Sequence, residues 1–163
     1  MGIVAKYSNS DIESFLDQFT DAVVDSIVQA LGKLGTKCVN YARKIPDPEH
    51  GGNGFKDQTG NLRSSIGFKI FVGRNAIVEN YKVKRKGSEG MEKGRALADS
   101  VGAGNSDNQV MLVVTAGMEY AIHLESLYKR DVIASAELLA EQEWPKMKQK
   151  IDAMVKRQMK KFK

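Results

Sequence analysis

The first forty residues carry apolar side chains every three or four positions. Asn9 or Ser10 can cap a helix there. Gly32 and Gly35 favour a bend or a close helix contact, and the prolines from Pro46 onward end the pattern. The spacing predicts one long amphipathic helix, with apolar positions Ile12, Phe15, Leu16, Phe19, Val23, Ile27, Leu31, Leu34, Cys38 and Tyr41.

Residues 46–61 are dense in Gly, Pro, Asn and Asp, which predicts a flexible loop rather than a core element. Residues 65–72 then alternate in polarity, which is typical of a strand with one buried face. A turn at 73–75 leads to a second strand with Ile77, Val78, Tyr81 and Val83. Residues 110–116, VMLVVTA, are apolar on both pleat faces, so we expect them at the centre of the sheet.

Residues 85–109 are polar and glycine-rich, which predicts a poorly ordered excursion with a short helix at 95–101. Residues 120–127 favour a short helical turn. A helical pattern resumes at 134–143, and Pro145 can start or kink a further helix. An apolar face then continues to the end, at Trp144, Met147, Ile151, Met154, Val155 and Phe162.

These patterns predict an α+β fold in which a long N-terminal helix and a C-terminal helix pack on a small, mainly antiparallel sheet of about three or four strands. The length of 163 residues and the 42% hydrophobic content suit one domain, residues 1–163, around one core.

The single cysteine, Cys38, excludes an internal disulfide and a metal cluster built on several thiolates. No apolar run approaches the roughly 20 residues needed to span a bilayer, and the N-terminus lacks a signal-peptide core. We therefore expect a protein of the reducing cytoplasm that does not enter a membrane.

Charge is distributed unevenly along the chain, whose net charge is +5. Every charged residue between Ser8 and Ser26 is acidic, whereas residues 145–163 carry eight bases against Asp152 alone. This asymmetry predicts either electrostatic pairing between subunits or a basic element near nucleic acid, and a solvated helix face is the plainer alternative. A second basic cluster comprises Lys82, Lys84, Arg85 and Lys86.

Candidate chemistry is sparse. His50, beside Asp47 and Glu49, lacks the three or four converging ligands of a tight metal site. His123 lies between Glu119 and Glu125, but the P-C-x-x-C of a zinc deaminase is absent. Neither glycine-rich phosphate motif is present. The sequence therefore predicts a non-enzyme with no catalytic, cofactor-binding or metal-binding residue, and a DNA contact would be nonspecific.

Two short segments resemble one protein family. DQTGNLRSSI at 57–66 is similar to the D-T-G-x-L-R-x-S-I segment of the neck and tail-component (head-tail joining, tail completion) family of long-tailed double-stranded DNA phages. As in that family, it follows a long helix and a proline-bearing loop. GMEYAIHLE at 117–125 resembles the family's Y-A-x-x-x-E turn. Gln58 interrupts the usual Asp-Thr pair, and the family's G-x-x-P-x-P-F stretch is replaced by residues 126–133.

The resemblance implies a structural and assembly protein of the head-tail junction. Such a subunit would form a ring on other virion proteins (connector, tail tube or terminator) and would pass from the host cytoplasm into the virion. Independently of the resemblance, the residues predict a turn in which Gly60 takes a positive φ, and Arg63 is placed to bridge elements or subunits through a carboxylate. A purely structural turn is the alternative to a contact site. The first alternative to the assembly protein is a small basic nucleic-acid-binding protein of a mobile element, and the second is a metal-dependent hydrolase that uses His50 or His123. Candidate interface residues are Thr59, Gly60, Asn61, Leu62, Arg63, Tyr120, Glu125, Lys156, Arg157 and Lys160.

Overall fold

The structure is a computed structural model that describes residues 9–161, so the predicted apolar position Phe162 lies outside the described residues. The α+β class and both terminal helices are confirmed. In chain order the elements are α1 (Asn9–Lys44), a 3-10 turn (Pro48–His50), α2 (Asn61–Ser65), β1 (Ile66–Val72), β2 (Asn75–Asn80), α3 (Ser88–Gly102), β3 (Val110–Ala116), α4 (Ala121–Ser126) and α5 (Ala134–Lys161).

The three strands form an antiparallel sheet in the order β2-β1-β3. Phe68 pairs with Val114 and Ile70 with Leu112. The prediction that residues 110–116 occupy the centre of the sheet is wrong, because β3 is an edge strand. Its two apolar faces have another cause: α1 packs on one face of the sheet and α3 on the other.

The central strand β1 is buried on both faces, whereas the sequence predicted one. The face with Phe68 and Ile70 packs against α1, where a Cβ at Gly35 would lie 2.8 Å from the Phe68 ring. The opposite face lies under α3 and holds Phe71 and Lys69. Lys69 is tolerated there because its Nζ lies 2.6 Å from the Asp99 carboxylate, which compensates the buried charge.

The helix α3 fills most of the segment that the sequence predicted to be a poorly ordered excursion, so that prediction is wrong. The glycines explain the difference. A Cβ at Gly94 would overlap the Ser65 carbonyl oxygen, and one at Gly102 would overlap the Phe71 ring. Glycine therefore allows α3 to approach the sheet closely.

The loop at 46–61 also contributes to the core, contrary to the expectation of a flexible connection. Phe55 is only 2% exposed and belongs to the main hydrophobic cluster. The backbone N–H of Gly54 donates to the Pro46 carbonyl at 2.7 Å, and that of Gly52 donates to the Asp47 carbonyl at 3.0 Å. These bonds fold the loop back on itself and place Phe55 under α2.

The helix α5 runs through Pro145 without interruption and packs antiparallel to α1. Lys37 of α1 lies beside Glu143 early in α5, with 2.6 Å between Nζ and Oε2. Gln29, earlier in α1, lines the same groove as Arg157, late in α5. The beginning of α1 and the end of α5 therefore lie at one end of the helix pair, away from the sheet.

Candidate assembly site

Asp57 organises the turn at the start of segment 57–66, the first of the two segments that resemble the phage family. Its Oδ1 accepts a hydrogen bond from the N–H of Gly60 at 3.0 Å, and its Oδ2 accepts one from the N–H of Arg63 at 3.0 Å. The Thr59 hydroxyl accepts from the N–H of Asn61 at 3.2 Å. A single carboxylate thus satisfies donors at the start of α2, the usual role of a capping acid.

Gly60 adopts the positive φ that the sequence predicted, at +87°. A second constraint acts on the same residue, since a Cβ there would overlap the Lys84 carbonyl oxygen. The chain after β2 therefore passes directly over the turn. A side chain at position 60 would separate these two segments.

Arg63 bridges two elements, as predicted, but its partners are backbone carbonyls rather than a carboxylate. Its guanidinium donates to the carbonyls of Arg43 and Phe55. The Cζ atom also lies 4.8 Å from the centre of the Phe55 ring, a cation–π distance. The expectation of a carboxylate partner is wrong because the end of α1 presents unpaired carbonyls at this point.

Arg43 makes the reciprocal contact, which sequence reasoning missed. Its Nε donates to the Arg63 carbonyl at 3.2 Å, and its Nη2 donates to the Ile66 carbonyl. Burial lowers the pKa of the Arg43 guanidinium. The only sequence signal was an arginine in the last turn of a helix, where a cation is favourable beside carbonyl groups.

Asn61 joins α2 to the start of α3. Its Oδ1 accepts from the N–H of Gly90 at 3.3 Å, and its Nδ2 donates to the Glu89 carboxylate at 3.4 Å. Leu62 is 1% exposed and lies in the core. Of the first motif's candidate residues, Thr59 is exposed and Asn61 and Arg63 are half-buried, whereas Leu62 and Gly60 are buried.

Segment 117–125, the second of the two, lies against segment 57–66. The N–H of Gly117 donates to the Ser65 carbonyl at 3.3 Å. Tyr120 is 41% exposed. Burial raises the pKa of its hydroxyl, and the negative charges of Asp57 and Glu89 raise it further. The two segments thus meet at the end of the sheet where β1 begins and β3 ends.

Glu125 has a structural role. Its Oε1 accepts hydrogen bonds from three successive backbone N–H groups, of Val132 at 3.0 Å, Ile133 at 2.6 Å and Ala134 at 2.9 Å. These groups precede or begin α5, so the carboxylate acts on the positive end of the helix dipole. Glu125 therefore links α4 to the start of α5.

The acidic and basic segments lie at the same end of the antiparallel helix pair of one chain. Asp17, Asp21 and Asp25 occupy the outer part of α1, and the exposed bases Lys156, Arg157 and Lys160 occupy the outer part of α5. Among the residues described, no salt bridge within 4.0 Å joins the two sets. The acidic and basic sets are therefore not paired with each other in the described part of the chain.

A groove of about 640 Å³ runs between α1 and α5. It contains one acid, Glu143, which Lys37 engages. Sequence reasoning missed the contribution of α1 to this surface, since it depends on helix packing. The groove is lined by five bases: Lys33, Lys37, Lys146, Lys150 and Arg157.

The histidine candidates do not gather further ligands. His50 Nδ1 lies 2.6 Å from Asp47 Oδ1, and this hydrogen bond lowers the pKa of the Asp47 carboxyl group. Glu49 instead accepts from Lys56 at 2.7 Å. Within residues 9–161 no three His, Cys, Asp or Glu side chains are placed to share a metal ion. The helices described there also include none long and apolar enough to cross a membrane.

No family model, curated protein or solved structure matches the chain.

Proposed function

We propose that the chain is a non-enzymatic assembly subunit of the head-tail junction of a tailed phage or prophage, as a neck or tail-completion component. Several copies would form a ring on another virion protein, such as a connector, tail tube or terminator. The protein would be made in the host cytoplasm and incorporated into the particle.

The observation that carries this proposal is the meeting of the two family-like segments. They are separated by some fifty residues of chain, yet the backbone N–H of Gly117 donates to the Ser65 carbonyl at 3.3 Å. The antiparallel pairing of β1 with β3 brings the two segments into one surface, which a shared contact with a partner would need. Their junction leaves Thr59 and Tyr120 exposed, so these side chains are candidates for contact with a partner.

The basic end of α5 is the second candidate contact. Lys156, Arg157 and Lys160 are exposed, and no carboxylate among the described residues lies within 4.0 Å of their charged groups, so they are available to orient the subunit on an acidic surface. Exposed ion pairs contribute only about 0 to 1 kcal/mol each to the free energy of association. Such a contact therefore sets the orientation of the subunit on its partner more than it adds to the affinity. We expect the isolated chain to be monomeric or weakly associated, because a template supplies the effective concentration that closes a ring.

The test is incorporation into particles. Particles purified from the source strain after induction should contain the chain, detected by mass spectrometry, in a small fixed number of copies relative to the connector. Reversing Lys156, Arg157 and Lys160 to Glu should prevent incorporation while circular dichroism shows a folded protein. Reversal of Lys44, an exposed base at the opposite end of α1, is the matched control. Particles that lack the wild-type chain altogether would refute the proposal.

Nucleic-acid binding is the second candidate function, and the basic groove between α1 and α5 favours it. Five bases in one groove can neutralise several phosphates, and such binding weakens steeply as salt rises. Micromolar affinity for duplex DNA at physiological salt, lost in a Lys33→Glu/Lys150→Glu variant, would support this function. Weak binding that the double reversal does not change would count against it.

A further inference from the structure

The first helix extends past the helix that packs against it. Lys37 of α1 lies beside Glu143 of the antiparallel α5. From Glu143, α5 continues for eighteen residues to Lys161, the last residue described. Eighteen residues back from Lys37 along α1 is Phe19. Because each residue of an α-helix advances the axis by the same ~1.5 Å, the described part of α5 ends about level with Phe19. Residues 9–18, here called the overhang, extend roughly 15 Å further.

Burial along α1 changes at this level. Ser26 is buried and Phe19 is half-buried. In the overhang, Ile12, Phe15 and Leu16 are 49%, 42% and 53% exposed. Single exposed apolar side chains are ordinary on a protein surface, but three within five residues on one side of a helix form a contiguous apolar patch, which is typical of a contact surface.

The apolar patch lies on the side of α1 that faces α5. Eighteen residues are five full turns of an α-helix, so residues eighteen apart point in the same direction. Ile12 is in phase with Ala30, which lines the groove between α1 and α5. Phe15 is in phase with Lys33, which lines the same groove. The patch therefore continues the face of α1 on which α5 packs, beyond the level at which α5 ends.

The position of α5 decides how a second copy of α1 can cover this face. A parallel α1 would run into α5, which occupies the same face from about Phe19 onward. An antiparallel α1 instead continues away from α5, past Asn9. In a twofold pair the second overhang also has the length of the uncovered face, so each overhang covers the other completely.

Charge favours a second copy over a lipid surface. Glu13 and Asp17 are exposed acids of the overhang, and no base among the described residues lies within 4.0 Å of their carboxylates. Helices that bind anionic membranes carry bases on their polar side, so these acids oppose such binding. The end of α5 carries the exposed bases Lys156 and Lys160. An antiparallel second copy places its acidic overhang directly after this basic end, where the opposite charges attract.

We propose that the overhang of one copy of this chain packs antiparallel against the overhang of a second copy about a twofold axis. Each overhang then lies in line with the other copy's α5. Ile12 of one copy lies close to Leu16 of the other, and Phe15 lies near the axis. The face that α1 buries against α5 within one chain thus continues into the face buried between the two chains.

The contact is small, since each copy contributes three exposed apolar side chains, so the dimer is weak. A weak dimer agrees with the expectation that the isolated chain is monomeric or weakly associated. A twofold contact closes on itself and leaves ring contacts to other surfaces of the subunit. The overhang contact goes beyond the proposed function and does not rest on it, because it is a property of the free chain.

The experiment uses two variants of the full chain, Ile12→Cys and Leu16→Cys, with only one carrying an affinity tag. The native Cys38 is 2% exposed and burial raises its pKa, so it does not compete. Under mild oxidation the mixture should give far more mixed disulfide dimer than either variant alone gives of its own dimer. Asp17→Cys mixed with Ile12→Cys is the matched control, because residue 17 lies on the polar side of the overhang.

Two results of the cross-linking would overturn the overhang contact. Efficient dimers of each variant alone, at both positions, would show that the helices pair in parallel. Mixed dimers no more abundant than those in the Asp17→Cys control would show random collision.

Sedimentation equilibrium tests the same contact without cysteines. Leu16→Asp should raise the dissociation constant of the dimer about tenfold or more, because a charge then enters an apolar contact. Gln18→Asp adds the same charge at an exposed polar position and should leave the constant nearly unchanged. Circular dichroism should show that both variants are folded. A wild-type chain that stays monomeric at about 1 mM would overturn the overhang contact.

The same variants separate the other possible occupants. If no mixed disulfide forms and Leu16→Asp abolishes binding to vesicles of phosphatidylcholine and phosphatidylglycerol, a lipid surface covers the overhang and the proposed contact is wrong. If no mixed disulfide forms and Leu16→Asp is excluded from particles, another virion protein covers it, so the contact is wrong and the proposed function stands. If the mixed disulfide forms but particles lack the wild-type chain, the contact stands and the proposed function fails.

Discussion

Arg43 and Arg63 each donate a hydrogen bond to the main-chain carbonyl of the other, which holds the end of α1 against α2. Two like charges tolerate this proximity because both guanidinium groups are directed at carbonyl oxygens, and the Phe55 ring lies 4.8 Å from the Arg63 Cζ atom. Arg63, the arginine of segment 57–66, therefore helps to hold two backbone segments together.

Replacing Arg63 with Ala should lower the free energy of unfolding by about 2 to 4 kcal/mol, because partly buried carbonyls of Arg43 and Phe55 lose their donors. Arg43→Ala should have a similar effect. The double variant should lose less than the sum, since both changes break one network. Urea unfolding would measure this, with Arg74→Ala as the control at a 69% exposed arginine. Full additivity would show that the two arginines act independently.

Glu125→Ala should lower the free energy of unfolding by about 1 to 2 kcal/mol, because three backbone donors at the start of α5 lose one acceptor. Glu125→Gln should lose less, since the amide oxygen still accepts but carries no charge. Thermal unfolding followed by circular dichroism would measure both variants. Glu141→Ala, on the exposed face of α5, should change stability little. A Glu125→Ala variant as stable as this control would contradict the capping role.

Gly94→Ala should destabilise the protein by about 2 kcal/mol or more, because the added methyl group overlaps the Ser65 carbonyl and forces α3 away from the sheet. Gly104→Ala offers a matched control, since its Cβ would lie at an ordinary 3.5 Å from the Val101 carbonyl oxygen. Chemical denaturation of the two variants gives the comparison. Equal stability of the two would mean that α3 does not approach the sheet so closely.

Tyr81 should make the fold sensitive to alkali. Burial raises the pKa of its hydroxyl to about 12, and the hydroxyl hydrogen-bonds Thr115 at 2.6 Å. In the unfolded chain the Tyr81 hydroxyl ionises near pH 10. Its protonated form therefore contributes roughly 2 to 3 kcal/mol to the free energy of unfolding, fully below about pH 10, and this contribution is lost as the pH rises toward about 12. Unfolding measured across this range should show the loss.

The Tyr81→Phe variant should be less stable at neutral pH by about 1 kcal/mol, through its missing hydrogen bonds, and should show a shallower alkaline decline. Tyr128→Phe, at a 68% exposed position, should keep the wild-type decline. If the wild-type protein and both variants lost stability identically at alkaline pH, ionisation of Tyr81 would not be the cause of that loss.

The spacing of apolar residues along the sequence was enough to predict both terminal helices and the β1–β2 hairpin, because each of these elements depends on residues close in sequence. It was not enough to place β3. Its apolar residues on both faces are equally typical of a central strand and of an edge strand between two helices, and only the position of α3 separates these cases.

The candidate site was predictable where a residue acts on its neighbours and unpredictable where it acts at a distance. The turn at Gly60 follows from local chemistry and was correctly predicted. The role of Glu125 was not, because its donors lie seven to nine residues further along the chain. The glycines of α3 were misread as signs of disorder, since composition alone does not distinguish flexibility from close packing.

The topology of the sheet also bears on the order in which its strands form. A tight turn joins β1 to β2, whereas the whole of α3 and its flanking loops lie between β2 and β3. Closing that longer loop carries more chain entropy, so we expect the hairpin to form early and β3 to join it late. Until β3 is in place, the long apolar strand β1 has one uncovered side. A nascent chain is therefore most vulnerable to mispairing during synthesis of α3, before the residues that complete the sheet exist.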